Sequence, residues 1–102
     1  MNFIRKSPAE AIPLIFDYRS RLGALAGGAT IQSVDVLTVE PTGELSIGTA
    51  GNALVDDLSE LEVGVIATGG VAPKLYACTC RSTIIHSGGT YIFDVQLHVM
   101  VA

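Results

Sequence analysis

The chain has 102 residues, of which 49% are hydrophobic and 16% charged, and its formal net charge is −4. This length predicts a single domain, and so apolar a composition excludes a disordered chain. The acidic balance, together with the lack of any Lys/Arg cluster, excludes a basic face that would bind nucleic acid through its phosphates.

The first segment, residues 1–11 (MNFIRKSPAEA), is predicted to be an extended arm ahead of a β-sandwich domain at residues 12–102. Pro8 and Pro13 disfavour a position inside a sheet, so we expect the arm to be mobile in the isolated subunit and to become ordered on a neighbour. The alternative is that it pairs with its own sandwich as an edge strand. The segment lacks the pattern of a signal peptide, and no later run is long enough to span a bilayer, which predicts a protein made in the reducing cytoplasm.

About seven short strands follow, separated by turns that contain glycine or proline. They are predicted at residues 12–18, 29–39, 44–50, 53–55, 61–68, 74–86 and 90–102, with a break at RSRLGALAGG. Strands at this spacing are typical of an all-β, immunoglobulin-like antiparallel β-sandwich. The acidic segment 56–62 is interpreted as a solvated connector, although its middle could form a helical turn and the sequence leaves open whether it binds a cation.

The last predicted strand, TYIFDVQLHVMVA, shows the clearest alternation in the chain. Its odd-numbered side chains are apolar or aromatic and predict the core face: Tyr91, Phe93, Val95, Leu97, Val99 and Val101. Its even-numbered side chains predict the outer face: Ile92, Asp94, Gln96, His98 and Met100.

The segment YACTC carries both cysteines of the chain, Cys78 and Cys80. Residues two apart in a strand share a face, and their Cα atoms would lie about 6.5–7 Å apart, so a disulfide would be strained. A structural zinc site needs four ligands, and no spacing brings His86 or His98 to the two thiols. We therefore predict reduced, buried, metal-free thiols. Tyr76, in the pattern Tyr-x-Cys, predicts a hydroxyl that bonds back to the backbone of the upstream loop GGVAPK.

No catalytic site is predicted from the remaining motifs. HSGG places a histidine beside a serine in a tight turn, which prevents the geometry of a nucleophile and its base. GVIATGG lacks the lysine and hydroxyl residue of a phosphate-binding loop. DDLSELE lacks the glycine and the ligand spacing of the calcium helix–loop–helix. The sequence therefore predicts neither an enzyme nor a cofactor.

Four segments occur in an order that resembles a known family. They are IRKSPAEAIPLIFDY, GATIQS, TGGVAPKLYACTCRS and SGGTYIFDVQLHVMV. The order resembles that of the small tailed-phage fiber–tail adaptor proteins. In that group a Lys-x-Pro-x-Glu opening and a strand ending in Asp-Trp precede a Thr-Ile-x-Ser strand, a glycine-rich segment before a tyrosine, and an alternating last strand. Tyr18 stands where the group has tryptophan, and Thr90 stands where a basic residue is common.

The resemblance implies a structural virion protein, made in the host cytoplasm, that links tail and fiber components in many copies and binds neither nucleic acid nor membrane. Its expected partners are other virion proteins and further copies of the chain. The residues expected to contact them are Phe3, Ile4, Arg5 and Lys6 in the arm, Ile92, His98 and Met100 on the last strand, and Arg19 and Arg21. Alternatives are a capsid decoration or head–tail neck protein, which also use such sandwiches, and a carbohydrate-binding module, which the absence of tryptophan disfavours.

Overall fold

The computed structural model describes residues 3–23, 27–49, 54–55 and 61–102, and their secondary structure is mostly β. The strands are β1 (Ile4–Lys6), β2 (Ile12–Asp17), β3 (Thr30–Glu40), β4 (Leu45–Ser46), β5 (Leu54–Val55), β6 (Glu62–Gly69), β7 (Lys74–His86) and β8 (Gly89–Val101), with one helix, α1 (Arg19–Leu22).

Two sheets form the sandwich. One has the strand order β1-β8-β7-β3, and the other has the order β2-β6-β4, with β5 also paired to β6. Neighbouring strands run antiparallel except β1, which runs parallel to β8. The prediction of an all-β sandwich is confirmed.

The longest feature is the hairpin of β7 and β8, which are 13 residues each and pair without a register shift. Ser87 and Gly88 form its turn with φ angles of 43° and 82°, as a type I′ turn requires. In such a hairpin His86 and Gly89 exchange hydrogen bonds, as does every second pair that follows. The odd-numbered residues of β8 therefore direct their backbone N–H and C=O groups toward β7. The even-numbered residues direct theirs toward the other edge of β8.

The core lies between the sheets and takes every second side chain of β2, β6 and β7 and of the end of β8. The second sheet contributes Leu14, Phe16, Val63, Val65 and Ala67, and the first contributes Tyr76, Cys78, Cys80, Ile84, Val99 and Val101. The odd-numbered side chains of β8 from Phe93 to Val101 face this core, as the alternation predicts, whereas Tyr91 near the hairpin turn is exposed. However, Val99 and Val101 are fully buried, whereas Phe93, Val95 and Leu97 are only half-buried.

The N-terminal segment is not a free arm where the structure describes it. Ile4–Lys6 forms β1 and pairs with Val99–Val101 of β8, and the N–H of Ala102 donates to the carbonyl of Lys6 at 3.0 Å. The expectation of a mobile arm is therefore wrong for these residues, and the structure has the edge-strand alternative. Neither proline opposes this pairing, because Pro8 follows β1 and Pro13 lies in β2, an edge strand of the second sheet.

Two further differences from the predicted elements lie in the first half of the chain. Arg19–Leu22, inside the predicted break, forms the single helical turn α1, which buries Leu22 in the core. The strand predicted at residues 44–50 is limited to Leu45–Ser46. Residues 56–60 of the acidic connector lie outside the described residues. The predictions of a helical turn or a cation site in this segment therefore lie outside them as well.

The hydroxyl of Tyr76 fixes the loop ahead of β7. Tyr76 is fully buried, and its Oη accepts the backbone N–H of Val71 at 2.9 Å and donates to Oε1 of Glu44 at 2.8 Å. The predicted bond back to the upstream loop is confirmed. Lys74 donates to the same Glu44 oxygen at 2.8 Å, and its hydrogen bond is the main reason why the pKa of Glu44 is lowered. The network joins the β3–β4 turn to the start of β7.

Tyr76→Phe is expected to lower the free energy of unfolding by about 1–2 kcal/mol, because it leaves the Val71 N–H without its acceptor while the ring stays packed. Chemical denaturation measures this loss. Tyr91→Phe is the matched control, since that tyrosine is 38% exposed and should unfold like the parent protein. Equal losses in both variants would contradict the structural role of the Tyr76 hydroxyl.

Candidate interaction surface

Four of the predicted contact residues share one face. Arg5, Ile92, His98 and Met100 lie on the outer side of the first sheet, where Arg5 is beside Met100 in the β1–β8 register. Phe3, just ahead of β1, joins Ile4, Gln96, Leu97 and His98 around a pocket of about 330 Å³. The side chain of Ile92 is 65% exposed and that of Phe3 is 37% exposed. The structure therefore brings these residues to the outer face and open edge of β8.

The other two residues of β1 point inward. Ile4 packs against the core, and Lys6 is only 3% exposed. The Lys6 Nζ donates to the backbone carbonyls of Ser7 at 2.7 Å and Gly69 at 2.5 Å, which replace its lost water. Lys6 is therefore a structural residue in this subunit and not part of an accessible contact surface, because strand pairing places it opposite Val101 on the core side.

Arg19 and Arg21 belong to α1 and do not join the outer face. Arg19 forms ion pairs with Asp17 at 2.7 Å and Glu62 at 3.5 Å, and its hydrogen bond lowers the pKa of Asp17. The guanidinium of Arg21 lies 5.6 Å from the ring centroid of Phe93, a distance at which a cation–π interaction forms. Both arginines thus contact neighbouring side chains of their own subunit.

Polar side chains on the outer face are largely paired with one another. Arg81 holds Asp94 through two hydrogen bonds of 2.8 and 3.1 Å, which lower the pKa of that carboxyl group. Asp35 accepts hydrogen bonds from Thr83 and Ser33, at 2.5 and 2.7 Å. Pairing within the sheet satisfies these charges, so apolar side chains are the groups of this face that remain open to a partner.

The exposed apolar side chains of the first sheet lie on the β7–β8 hairpin, whereas Ile15 and Ile66 are exposed on the second sheet. Ile85 and Ile92 are exposed on its outer side, and Tyr91 and Phe93 stack on its inner side with ring centroids 6.2 Å apart. Of the chain's 3 tyrosines, Tyr18 and Tyr76 are fully buried, so they cannot belong to an aromatic platform for sugars.

Sequence reasoning missed the free edge of β8. Ahead of Val99, no strand pairs with this edge in the part of the chain that the structure describes. Its outward backbone groups belong to Thr90, Ile92, Asp94 and Gln96, following the alternation of the hairpin. The residue pattern identifies faces of a strand but not its neighbours. Strand order decides which strand is at an edge, and no local signal in this segment gives that order.

The cysteines are confirmed as free, fully buried thiols. Burial raises the pKa of Cys78 to about 11 and also raises that of Cys80. The Tyr18 hydroxyl, whose own pKa is raised by burial, donates to the carbonyl of Cys80 at 2.7 Å and helps to close this region. Within residues 3–23, 27–49 and 61–102, no group of three or more His, Cys, Asp or Glu side chains is placed to hold a metal ion.

Thiol reagents are expected to label neither cysteine of the native protein at neutral pH, because labelling needs an accessible thiolate. The same reagent should label both after denaturation. Thr90→Cys, at an exposed position on β8, supplies a positive control that should react in the native state. Fast labelling of Cys78 or Cys80 before unfolding would contradict their burial.

The class that this geometry defines is a two-sheet β-sandwich with a long hairpin at one edge. Comparison with family models, with curated proteins and with solved structures found no match to this chain. Among the described residues, no helix has both the length and the apolar character needed to cross a membrane.

Proposed function

We propose that the protein is a structural virion component, an adaptor present in many copies that links tail and fiber parts of a tailed phage. The observation that carries this proposal is the outer surface around β1 and β8, where exposed apolar side chains adjoin polar groups that are already paired. A surface of this kind suits contact with other proteins, since single desolvated apolar anchors contribute most of the energy of such interfaces.

Residues that carry the family resemblance have structural roles that suit an immunoglobulin-like sandwich. Tyr18, at the position of the family's tryptophan, is fully buried against Cys80. Tyr76, after the glycine-rich segment, holds that segment through Val71. The parallel β1–β8 pair and the strand order of both sheets also support an immunoglobulin-like sandwich. An adaptor built on this sandwich acts through the shape of its surface and through the number of its copies in the particle.

The first test asks whether the chain is in the particle and where. Particles made from the genome that encodes the chain are purified, analysed by mass spectrometry, and imaged after labelling with an antibody against this protein. Label at the junction of tail and fibers is the expected result. Label on the head would instead support a decoration protein, label at the neck a head–tail connector, and absence from particles would refute the proposal.

A second test asks whether the proposed surface makes the contact. Phe3→Asp is expected to abolish incorporation, because it places a charge where an apolar anchor meets the partner. Ile66→Asp is the matched control, since Ile66 is 56% exposed on the outer side of the other sheet. Both variants should fold like the parent protein. Loss of incorporation with Ile66→Asp, but not with Phe3→Asp, would assign the contact to the opposite sheet.

A further inference from the structure

The burial of the side chains of β8 increases at the point where the neighbouring strand β1 begins. Val99 and Val101, which β1 flanks, are 0% exposed, whereas Tyr91 is 38% exposed and Phe93, Val95 and Leu97 are half-buried on the same face. β7 lies beside all of them, so its presence does not explain the difference. A strand beside Gly89–Leu97 would close this face as β1 closes it further on.

The two outer edges of this sheet are protected differently. β3, at one edge, contains two register shifts, between Ile31 and Ser33 and between Val34 and Val36. Bulges of this kind interrupt an edge and prevent another strand from pairing with it. β8 has no such shift, no proline and no lysine. The contrast between the bulged β3 edge and the regular β8 edge on the opposite side of the sheet indicates that the β8 edge is open for pairing.

We propose that Gly89–Leu97 pairs with the same segment of a second copy, antiparallel and about a two-fold axis at Phe93. This register uses the whole free edge and stops where β1 begins. It pairs Thr90 with the partner's Gln96 and Ile92 with the partner's Asp94, and these residues carry the outward backbone groups, so each pair exchanges two hydrogen bonds.

The side chains brought together by this register are self-complementary. On the inner face Phe93 meets the partner's Phe93, and Tyr91 meets the partner's Val95, so the half-exposed apolar row of each copy covers the other. On the outer face no like charges lie opposite each other, because Asp94, paired with Arg81, meets the partner's Ile92. A two-fold interface requires such matching of one segment to itself, which a foreign strand would not need.

The pocket at the end of the edge supports the same occupant. Phe3, Ile4, Gln96, Leu97 and His98 line it, at the point where β1 begins. In the two-fold register Gly89 lies opposite the partner's Leu97, so the start of one hairpin approaches the pocket of the other. The inference goes beyond the proposed function and holds whether or not the protein is a virion component.

Light scattering after size exclusion, over a range of concentrations, is expected to give twice the mass of the 10.6 kDa chain. Ile92→Asp should yield monomers, because each copy then places an aspartate opposite Asp94 of the other. Ile92→Lys should remain dimeric, since it faces that carboxylate with the opposite charge. Ile85→Asp, on the outer face of β7 away from the edge, should also remain dimeric.

Cross-linking tests the register itself. Phe93→Cys lies on the axis in a pair that shares no hydrogen bonds, where the Cα separation suits a disulfide, so mild oxidation should give a covalent dimer. Val95→Cys faces the partner's Tyr91 and should cross-link poorly. The proposal is overturned by a wild-type protein that is monomeric at every concentration, by a dimer that Ile92→Asp leaves intact, or by equal cross-linking of the two cysteine variants.

Discussion

Lys6→Glu is expected to lower the free energy of unfolding by about 3 kcal/mol or more, whereas Arg5→Glu, one residue earlier, should change it little. The Lys6 Nζ is enclosed and donates to two backbone carbonyls, of Ser7 and Gly69. A glutamate there would place a carboxylate against carbonyl oxygens, without donors and away from water. Arg5 points to solvent from the other side of the same strand. Thermal and urea unfolding of both variants measure the difference.

This pair separates two views of the N-terminal segment. If β1 is part of the fold, the strand face decides the outcome, and only the residue on the core side matters for stability. If the segment were a free arm, both charge reversals would leave the isolated protein unchanged and would act only on assembly. Similar unfolding temperatures for the two variants would therefore support the free-arm hypothesis. A further variant, Lys6→Met, keeps an apolar side chain of similar length but removes the amine, so its loss of stability measures the contribution of the hydrogen bonds.

Proline content misled the interpretation of residues 1–11 for a physical reason. Proline removes one backbone donor, which excludes it from the middle of a sheet but not from the residues around a short edge strand. Ile4–Lys6 lies between Phe3 and Ser7, free of proline, and its alternation places Ile4 and Lys6 on one face. A three-residue strand offers too short a pattern to be recognised before its partner is known.

Strands with long alternating patterns could be predicted closely from the sequence. β3, β7 and β8 begin and end within one residue of the predicted bounds, because β-branched side chains, period-two alternation and a glycine-containing turn all favour the same structure. Tyr76 could also be predicted, since its bond to Val71 spans only five residues along the chain. Features that depend on local sequence were thus accessible without the fold.

Features that depend on strand order were not. The alternation of β8 assigns Val95 and Val99 to the same face with equal strength, yet Val99 is buried and Val95 is half-buried. The difference comes from β1, which is distant in sequence and flanks only the end of β8. The same applies to Lys6, whose burial requires the carbonyl of Gly69, 63 residues away. Edge strands and the contacts they invite are therefore properties of topology.

Phe16→Ala is expected to lower the free energy of unfolding by about 3–5 kcal/mol, because it removes a large ring from the core between the sheets and leaves a cavity. Phe16 lies in β2 opposite Val63 and is 0% exposed, while its neighbour Ile15 lies opposite Gly64 and is 48% exposed. Ile15→Ala is the matched control and should cost about 0.5 kcal/mol.

Urea unfolding of both variants, at one protein concentration so that self-association contributes equally, gives the comparison. Domains of this size have a total stability of about 5–15 kcal/mol, so the loss of the Phe16 ring removes a large share of it. Ile15 and Ile66 form an apolar outer side on the second sheet, and removing either should leave the core intact because neither lies between the sheets. Equal losses for Phe16→Ala and Ile15→Ala would mean that β2 does not direct Phe16 into the core and Ile15 to solvent. Such a result would contradict the packing of the two sheets, on which the position of the free edge of β8 depends.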